Sequence, residues 1–460
     1  MQEKKSSNLD AIIVGLALFA MFFGAGNLIF PPALGVNAGT SWFSGFMGFF
    51  VADAGLAIVG VFALMKANGE LNNLTRVIGK VPGKIVITAV ILCIGPFLAI
   101  PRTATVTFSM GVVPILGLEG DTSMALAIFS AIYFIITLAL SIKPSKVVDI
   151  IGKFLTPILV ACVLILIVIG FVSPQGVAQA PQIDNVVKQG IIDGYNTMDA
   201  MASILFAGII ISAIYGKGYK KGKVANATAA KSAVVAGILL FIIYGGLAYL
   251  GATTGTKFYD GFSAGKLDQA AFLIEIVKEL MGYAGIVIIG VVVLMACLTT
   301  SIGLTTTAGN YFQDLSGGKL KYEVVAVVVC IFSAFVSNIG LARIIGFAVP
   351  ILVLIYPIII FIMLVAFLQN VVRSQNAYKL GGLVAFIVSV LTLLADGLLT
   401  HFWFNDAEWA QIFTVPGLDF IHKLPLNEYG LNWIVPTIIA FAIGALIPGK
   451  KLEPIVIDEE

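Results

Sequence analysis

The chain is predicted to be an all-α integral membrane protein. Twelve spans are expected, arranged as two inverted repeats of five followed by two accessory helices. Three observations carry this. Of 460 residues, 59% are hydrophobic and only 11% charged, with a mean hydropathy of +1.03, whereas soluble domains carry about a quarter charged residues. Apolar runs long enough to cross a bilayer recur along the whole sequence. The first and sixth runs, five apart, are each broken by polar residues or glycine. Such pairing points to an inverted-repeat transporter whose site lies near the midplane.

The runs fall near 10–33, 41–65, 84–108, 122–142, 147–172, 184–216, 227–251, 281–312, 323–341, 344–368, 380–400 and 431–447. They form a single domain over 1–460, with repeat one at 10–172, repeat two at 184–368 and accessory helices at 380–447. Lys4 and Lys5 precede a run too long for a cleavable leader, with no small-residue cleavage site after it, so it reads as a first span. With both termini placed inside, 20 of the 27 Lys and Arg residues fall in inside loops, six fall outside, and Arg102 lies within a span. That asymmetry obeys the positive-inside rule and predicts cytoplasmic termini.

Phe19 to Leu34 reads FAMFFGAGNLIFPPAL: an apolar run broken at Gly24-Ala25-Gly26-Asn27, resumed, and stopped at Pro31-Pro32. Small residues at such spacing also serve close helix crossings. The asparagine and the proline pair favour a binding site, because unpaired backbone groups in hydrocarbon must line a cavity or hold a ligand.

The sixth run is interrupted at Tyr195-Asn196-Thr197-Met198-Asp199. The eighth carries Ala296-Cys297-Leu298-Thr299-Thr300-Ser301-Ile302-Gly303, then Thr305-Thr306-Thr307. Hydroxyls in a span commonly bond back to their own helix. This density also suits a dehydrated Na⁺ site, since hard cations take oxygen ligands.

Asp53, Arg102 and Asp199 lie within spans, where an unpaired charge costs about 2.5–3.5 kcal/mol on insertion scales. Arg102 reads as snorkelling or paired with Asp53, with a role in the outer pathway as the alternative. Asp199 reads as a cap on the second half of span six. Asp396 is expected at the outer interface, and Trp403, Trp409 and Trp433 as interfacial anchors. Cys93, Cys162, Cys297 and Cys330 sit in apolar runs without metal or disulfide spacing. Within the spans there is no histidine, HExxH or GxSxG, and no P-loop occurs along the chain, which argues against an intramembrane enzyme or an ATP-driven pump. Neither nucleic acid nor an obligate protein partner is expected; the partners are a small solute and the lipid bilayer.

The segment GLALFAMFFGAGNLIFPPALG (15–35) resembles the opening of the leucine-isoleucine-valine cation symporter family, the bacterial branched-chain amino acid transport system II carriers. IGPFLAIPRTATV (94–106) and GYNTMDAMASILFAG (194–208) resemble it too. The resemblance implies a multi-pass protein of the bacterial cell membrane. It would import Leu, Ile and Val by alternating access, with Na⁺ as coupling ion and no organic cofactor; proton coupling, or a channel, is the alternative. More remotely, the chain is similar to sodium-coupled transporters of the LeuT fold, although Phe30-Pro31 follows Asn27 one residue sooner than in those relatives.

That likeness implies that Gly24, Ala25, Gly26 and Asn27 bind substrate, the amides of Ala25 and Gly26 holding its carboxylate. The Na⁺ would lie on the carbonyls of Ala20, Phe23 and Ala296 with the hydroxyls of Thr299 and Thr300. The ammonium would meet the break at Tyr195, Asn196, Thr197 and Met198, and the side chain a pocket lined by Phe97, Met198 and Leu304. The relatives' tyrosine on span three has no counterpart between Lys84 and Met110.

Overall fold

The computed structural model describes residues 7–143, 149, 151–220, 222–396 and 417–452. Among these residues, nine helices are long and apolar enough to cross a membrane, and three shorter apolar helices accompany them at Asn8–Phe22, Tyr322–Ser337 and Ile434–Leu446. Each of the twelve predicted runs overlaps one of these helices, and the helical stretch Ala25–Lys66 covers parts of the first two runs. His401, Trp403 and Trp409 lie outside the described residues.

The first span is two helices, Asn8–Phe22 and Ala25–Ala38. Ser7 starts the first by accepting the Asp10 amide at 3.4 Å, with Asp10 in the first turn where the helix dipole favours a carboxylate. The expectation that Pro31-Pro32 ends the run is corrected: both prolines lie inside the second helix. Proline φ suits a helix, and surrounding helices and local adjustment accommodate the lost donors in membrane spans. The sixth span is likewise two helices, Val186–Thr197 and Asp199–Gly216. Asn185 caps the former through the Lys188 amide at 2.9 Å.

Both halves of the first span pack on the long seventh helix, Lys223–Ala252, and both halves of the sixth pack on the second span. Gly35 and Gly251 make the first of these contacts possible: a Cβ on Gly35 would collide with the Ala248 carbonyl, and one on Gly251 with the Pro32 carbonyl. Small residues are the usual means of such backbone approach in lipid, where no hydrophobic drive separates helix from tail. The eighth span ends a helix running Gln269–Leu315, bent at Gly282, whose φ of 60° is left-handed. The third span carries a π-turn at Cys93–Phe97, with non-helical backbone at Gly95.

Near the face where the chain starts, Lys217 at the end of span six lies 3.1 Å from Asp149 and 3.9 Å from Asp10. The Tyr219 hydroxyl donates to Asp10 at 2.9 Å. Burial raises the Asp149 carboxyl, but Lys217 and then Lys153 outweigh it and hold the group below the usual carboxylate range. These contacts tether the first half of span one.

Candidate functional site

The two breaks meet. At the first, Gly24 is extended (φ −106°, ψ −164°) and its amide donates to the Asn27 Oδ1 at 3.2 Å. Asn27, 1% exposed, then turns its Nδ2 toward three groups from other spans. These are Asp199 Oδ2 at 2.8 Å, Tyr244 Oη at 2.5 Å and Asp53 Oδ2 at 3.3 Å. The Thr197 hydroxyl lies 2.6 Å from both Asp53 Oδ1 and the Gly194 carbonyl. One amide thus joins spans one, two, six and seven at the level of both breaks. Burying these carboxylates is tolerable because each has donors.

The second break turns on Met198, left-handed at φ 74°. Helix Val186–Thr197 ends there, and its last carbonyls need donors. Arg102 supplies them, with Nη1 to the Asn196 carbonyl at 3.3 Å and Nη2 to the Thr197 carbonyl at 3.4 Å. The expected pairing of Arg102 with Asp53 is therefore corrected. Asp53 bonds to Asn27 and Thr197, while the guanidinium neutralises a helix C-terminus, a favoured place for a cation. It also borders the first break, since a Cβ on Gly26 would lie 3.3 Å from Nη2. Asp199 is the first helical residue, not the cap, which is Met198; its carboxylate is taken by Asn27.

Span eight reaches the first break from the other side. The Thr299 hydroxyl donates to the Ala20 carbonyl at 2.7 Å and the Ala296 carbonyl at 2.9 Å. Thr300 donates to the Met21 carbonyl at 3.1 Å. Helix Asn8–Phe22 ends just beyond, so its last carbonyls lack intrahelical donors. The donor set is neutral oxygen throughout, the chemistry that fits a small hard cation. The Met21 carbonyl, which the sequence reading did not name, accepts the Thr300 hydroxyl here. Phe23 contributes its ring, stacked on Phe19 at 5.3 Å. Among the described residues no three His, Cys, Asp or Glu side chains cluster as a metal site.

Between the breaks lies a cavity of about 20 Å³, lined by Gly24, Ala25, Asn27, Arg102, Thr197, Met198, Asp199, Thr300 and Leu304 among others. That holds a water molecule and no more, so a larger solute must push its walls apart. Phe97 is not among its lining residues: the π-turn ending at Phe97 leaves the ring 46% exposed, 5.1 Å from that of Phe332. Ile94, Ala99, Ala202 and Phe206 line it instead. Tyr195 and Asn196 line a separate cavity on the far side. Tyr244 was missed although a phenol in an apolar span is a usable signal. On the side where the chain starts, a cavity of about 520 Å³ begins one turn further along, at Leu205, Ile209 and Thr307.

The family described as "Branched-chain amino acid transport protein" matches residues 7–451. The chain is 37% identical over 458 residues to branched-chain amino acid permease BraB of Bacillus subtilis, covering 97% of this chain and 98% of that protein. It is 33% identical over 458 residues to the branched-chain amino acid transport system 2 carrier protein of Pseudomonas aeruginosa, covering 97% and 98%. Among solved structures, a Na⁺-coupled sialic acid symporter in a substrate-bound outward-open state superposes with a TM-score of 0.62 at 13% identity, over 97% of this chain and 91% of that one. At that identity the likeness speaks for the fold alone, the LeuT-like fold that the resemblance implied.

Proposed function

Because this chain belongs to the branched-chain amino acid transport protein family, we propose that it is a secondary symporter importing Leu, Ile and Val across a bacterial cell membrane, coupled to Na⁺. The observation that carries the reading is the junction of two broken spans through Asn27, with backbone carbonyls and amides freed at the breaks. The substrate carboxylate would lie on the Ala25 and Gly26 amides, at the positive end of helix Ala25–Ala38. Arg102 beside Gly26 takes the place of the missing tyrosine on span three as a second carboxylate partner. The ammonium would face Asp199 and Thr197 at the other break. Ile94, Ala99, Met198, Ala202, Phe206 and Leu304 would enclose the branched side chain. Such a wall separates neighbours by only about 1–3 kcal/mol per methylene, so the three amino acids compete.

Na⁺ would sit on the carbonyls of Ala20, Met21 and Ala296 with the hydroxyls of Thr299 and Thr300, each hydroxyl exchanging a hydrogen bond for the ion. One Na⁺ crossing ~100 mV supplies roughly 2.3 kcal/mol, and a tenfold gradient about 1.4 more. Together they sustain an accumulation on the order of a few hundredfold. Release would proceed through the 520 Å³ cavity, on the face taken as cytoplasmic, once the Asp10–Lys217–Asp149 tether frees helix Asn8–Phe22.

A second reading, proton coupling, is favoured by one observation: Asn27 joins two buried carboxylates, Asp53 and Asp199, that offer a place for one proton. Labelled-leucine uptake into proteoliposomes separates the two. The expected result is concentrative uptake under an inward Na⁺ gradient at equal pH, unaffected by a protonophore. Uptake that ignores Na⁺ and collapses with the protonophore would give the role to the carboxylates, and non-saturable flux would indicate a channel.

A further inference from the structure

Among the described residues three carboxylates are buried, and two of them, Asp53 and Asp199, belong to the Asn27 junction. The third is Asp193, 8% exposed, in helix Val186–Thr197, the outer half of span six on the orientation taken above. Its Oδ1 accepts from the Gln189 Nε2 at 2.9 Å. No lysine, arginine or histidine among the described residues pairs with it. The Gln189 amide would bond equally well to an asparagine here, so packing accounts for the polarity of the group but not for its charge. A carboxylate inside a span without an opposite charge is costly, and such groups mark ion paths. Gly190 and Gly194 seat this helix on span two, since a Cβ at either would collide with the Gly45 or Phe49 carbonyl. Residues four apart then stand one above another, about 6 Å along the axis. Gln189 is half-buried while Asp193 and Thr197 are buried, so the row runs inward from the outer end. It finishes at the Thr197 hydroxyl, 2.6 Å from the Asp53 Oδ1.

We propose that Asp193 receives the coupling cation, a small monovalent ion and Na⁺ in the reading above, and hands it inward to the junction. The inference rests on that transport reading. Carboxylate, side-chain amide and hydroxyl oxygens all suit a small hard ion, and Gln189, Asp193 and Thr197 offer one of each at successive turns. The full charge sits on the middle step, where it draws a cation from the outer end and is answered only when the ion arrives. Beyond Thr197 the ion meets Asp53 and, through Asn27, the first break with its neutral oxygens. Asp193 does not line the central cavity, so it sets how readily the ion arrives and leaves the grip on the amino acid to the residues that do.

The test is the Na⁺ activation curve of labelled-leucine uptake by the full chain in proteoliposomes. Asp193→Asn keeps the shape and the Gln189 bond and removes only the charge. It should raise the Na⁺ concentration for half-activation about fivefold, the order that one charge contributes at a few ångströms between protein and water. The rate at saturating Na⁺ and the half-saturating leucine concentration should stay close to those of the unaltered protein. Asp193→Glu should restore most of the Na⁺ response. Asp184→Asn, which removes an exposed charge just before the same helix, should leave the curve in place. A curve for Asp193→Asn superimposable on that of the unaltered protein would overturn the relay and leave the transport reading standing. An equal shift in Asp184→Asn would do the same, because surface charge would then explain it. Loss of uptake at every Na⁺ concentration in both Asp193 variants would show a packing role and overturn it as well. Uptake by the unaltered protein that ignores Na⁺ would overturn both the relay and the reading beneath it.

Discussion

The two breaks solve the same problem with different chemistry. At the first, the chain is extended at Gly24, where a Cβ would crowd the Thr300 Oγ1 at 3.2 Å. The freed carbonyls there are met by neutral hydroxyls, those of Thr299 and Thr300. At the sixth-span break, left-handed Met198 reverses the chain, and a guanidinium meets the freed carbonyls while carboxylates gather at the new helix start. Neutral dipoles can trade a hydrogen bond for a cation and back at little cost. Buried charges, once partnered, are expensive to separate. The first break is thus suited to an ion that must come and go, and the second to holding a fixed geometry. Asn27, placed in the first break but bonded to charges at the second, makes them one unit.

Removing that link should have the largest effect. Asn27→Ala strands the Gly24 amide and the buried partners on spans two, six and seven, at about 1–3 kcal/mol per unsatisfied group. Leucine uptake is expected to fall more than about a hundredfold, with Tm lower by ~5 °C or more. Near-normal uptake would show that the breaks work independently. A middle-sized effect is expected at the neutral break alone. Thr299→Ala should raise the Na⁺ concentration for half-activation about tenfold, or ~1.4 kcal/mol, leaving the competition among Leu, Ile and Val unchanged. An activation curve superimposable on that of the unaltered protein would remove Thr299 from the ion's ligands. The smallest change belongs to Met198→Gly. It relieves about 1 kcal/mol of left-handed strain but gives part back in chain entropy. Removing the buried side chain costs about 2–5 kcal/mol, so Tm should fall by a few degrees while leucine uptake changes least of the three variants. An unchanged Tm would mean that the backbone strain outweighs the packing of the methionine side chain.

Much of this was legible in the sequence, for a physical reason. A bilayer leaves no water to satisfy backbone groups, so span positions follow from apolar runs, and a Gly-Ala-Gly-Asn or Tyr-Asn-Thr-Met-Asp interruption stands out against them. Gly24, Asn27, Thr197, Asp199, Thr299 and Thr300 were found that way. Pairings were harder. Asp53 and Arg102 were recognised as costly, but opposite charges suggested a bond between them, whereas the arginine went to backbone carbonyls that no residue type announces. Phe97 was misplaced because a π-turn shifts every later side chain around the helix axis, and periodicity does not reveal one.

The amino-acid order by itself determined a twelve-run, all-helical membrane chain, with breaks in the first and sixth runs and hydroxyls massed on the eighth. These properties depend on local composition against a uniform apolar solvent. Only the tertiary structure decided which partner each buried polar group takes: Asn27 with residues 26 to 217 positions away, and Arg102 with the end of a helix. Such choices depend on which helices cross at which depth, and that is a property of the packed bundle as a whole.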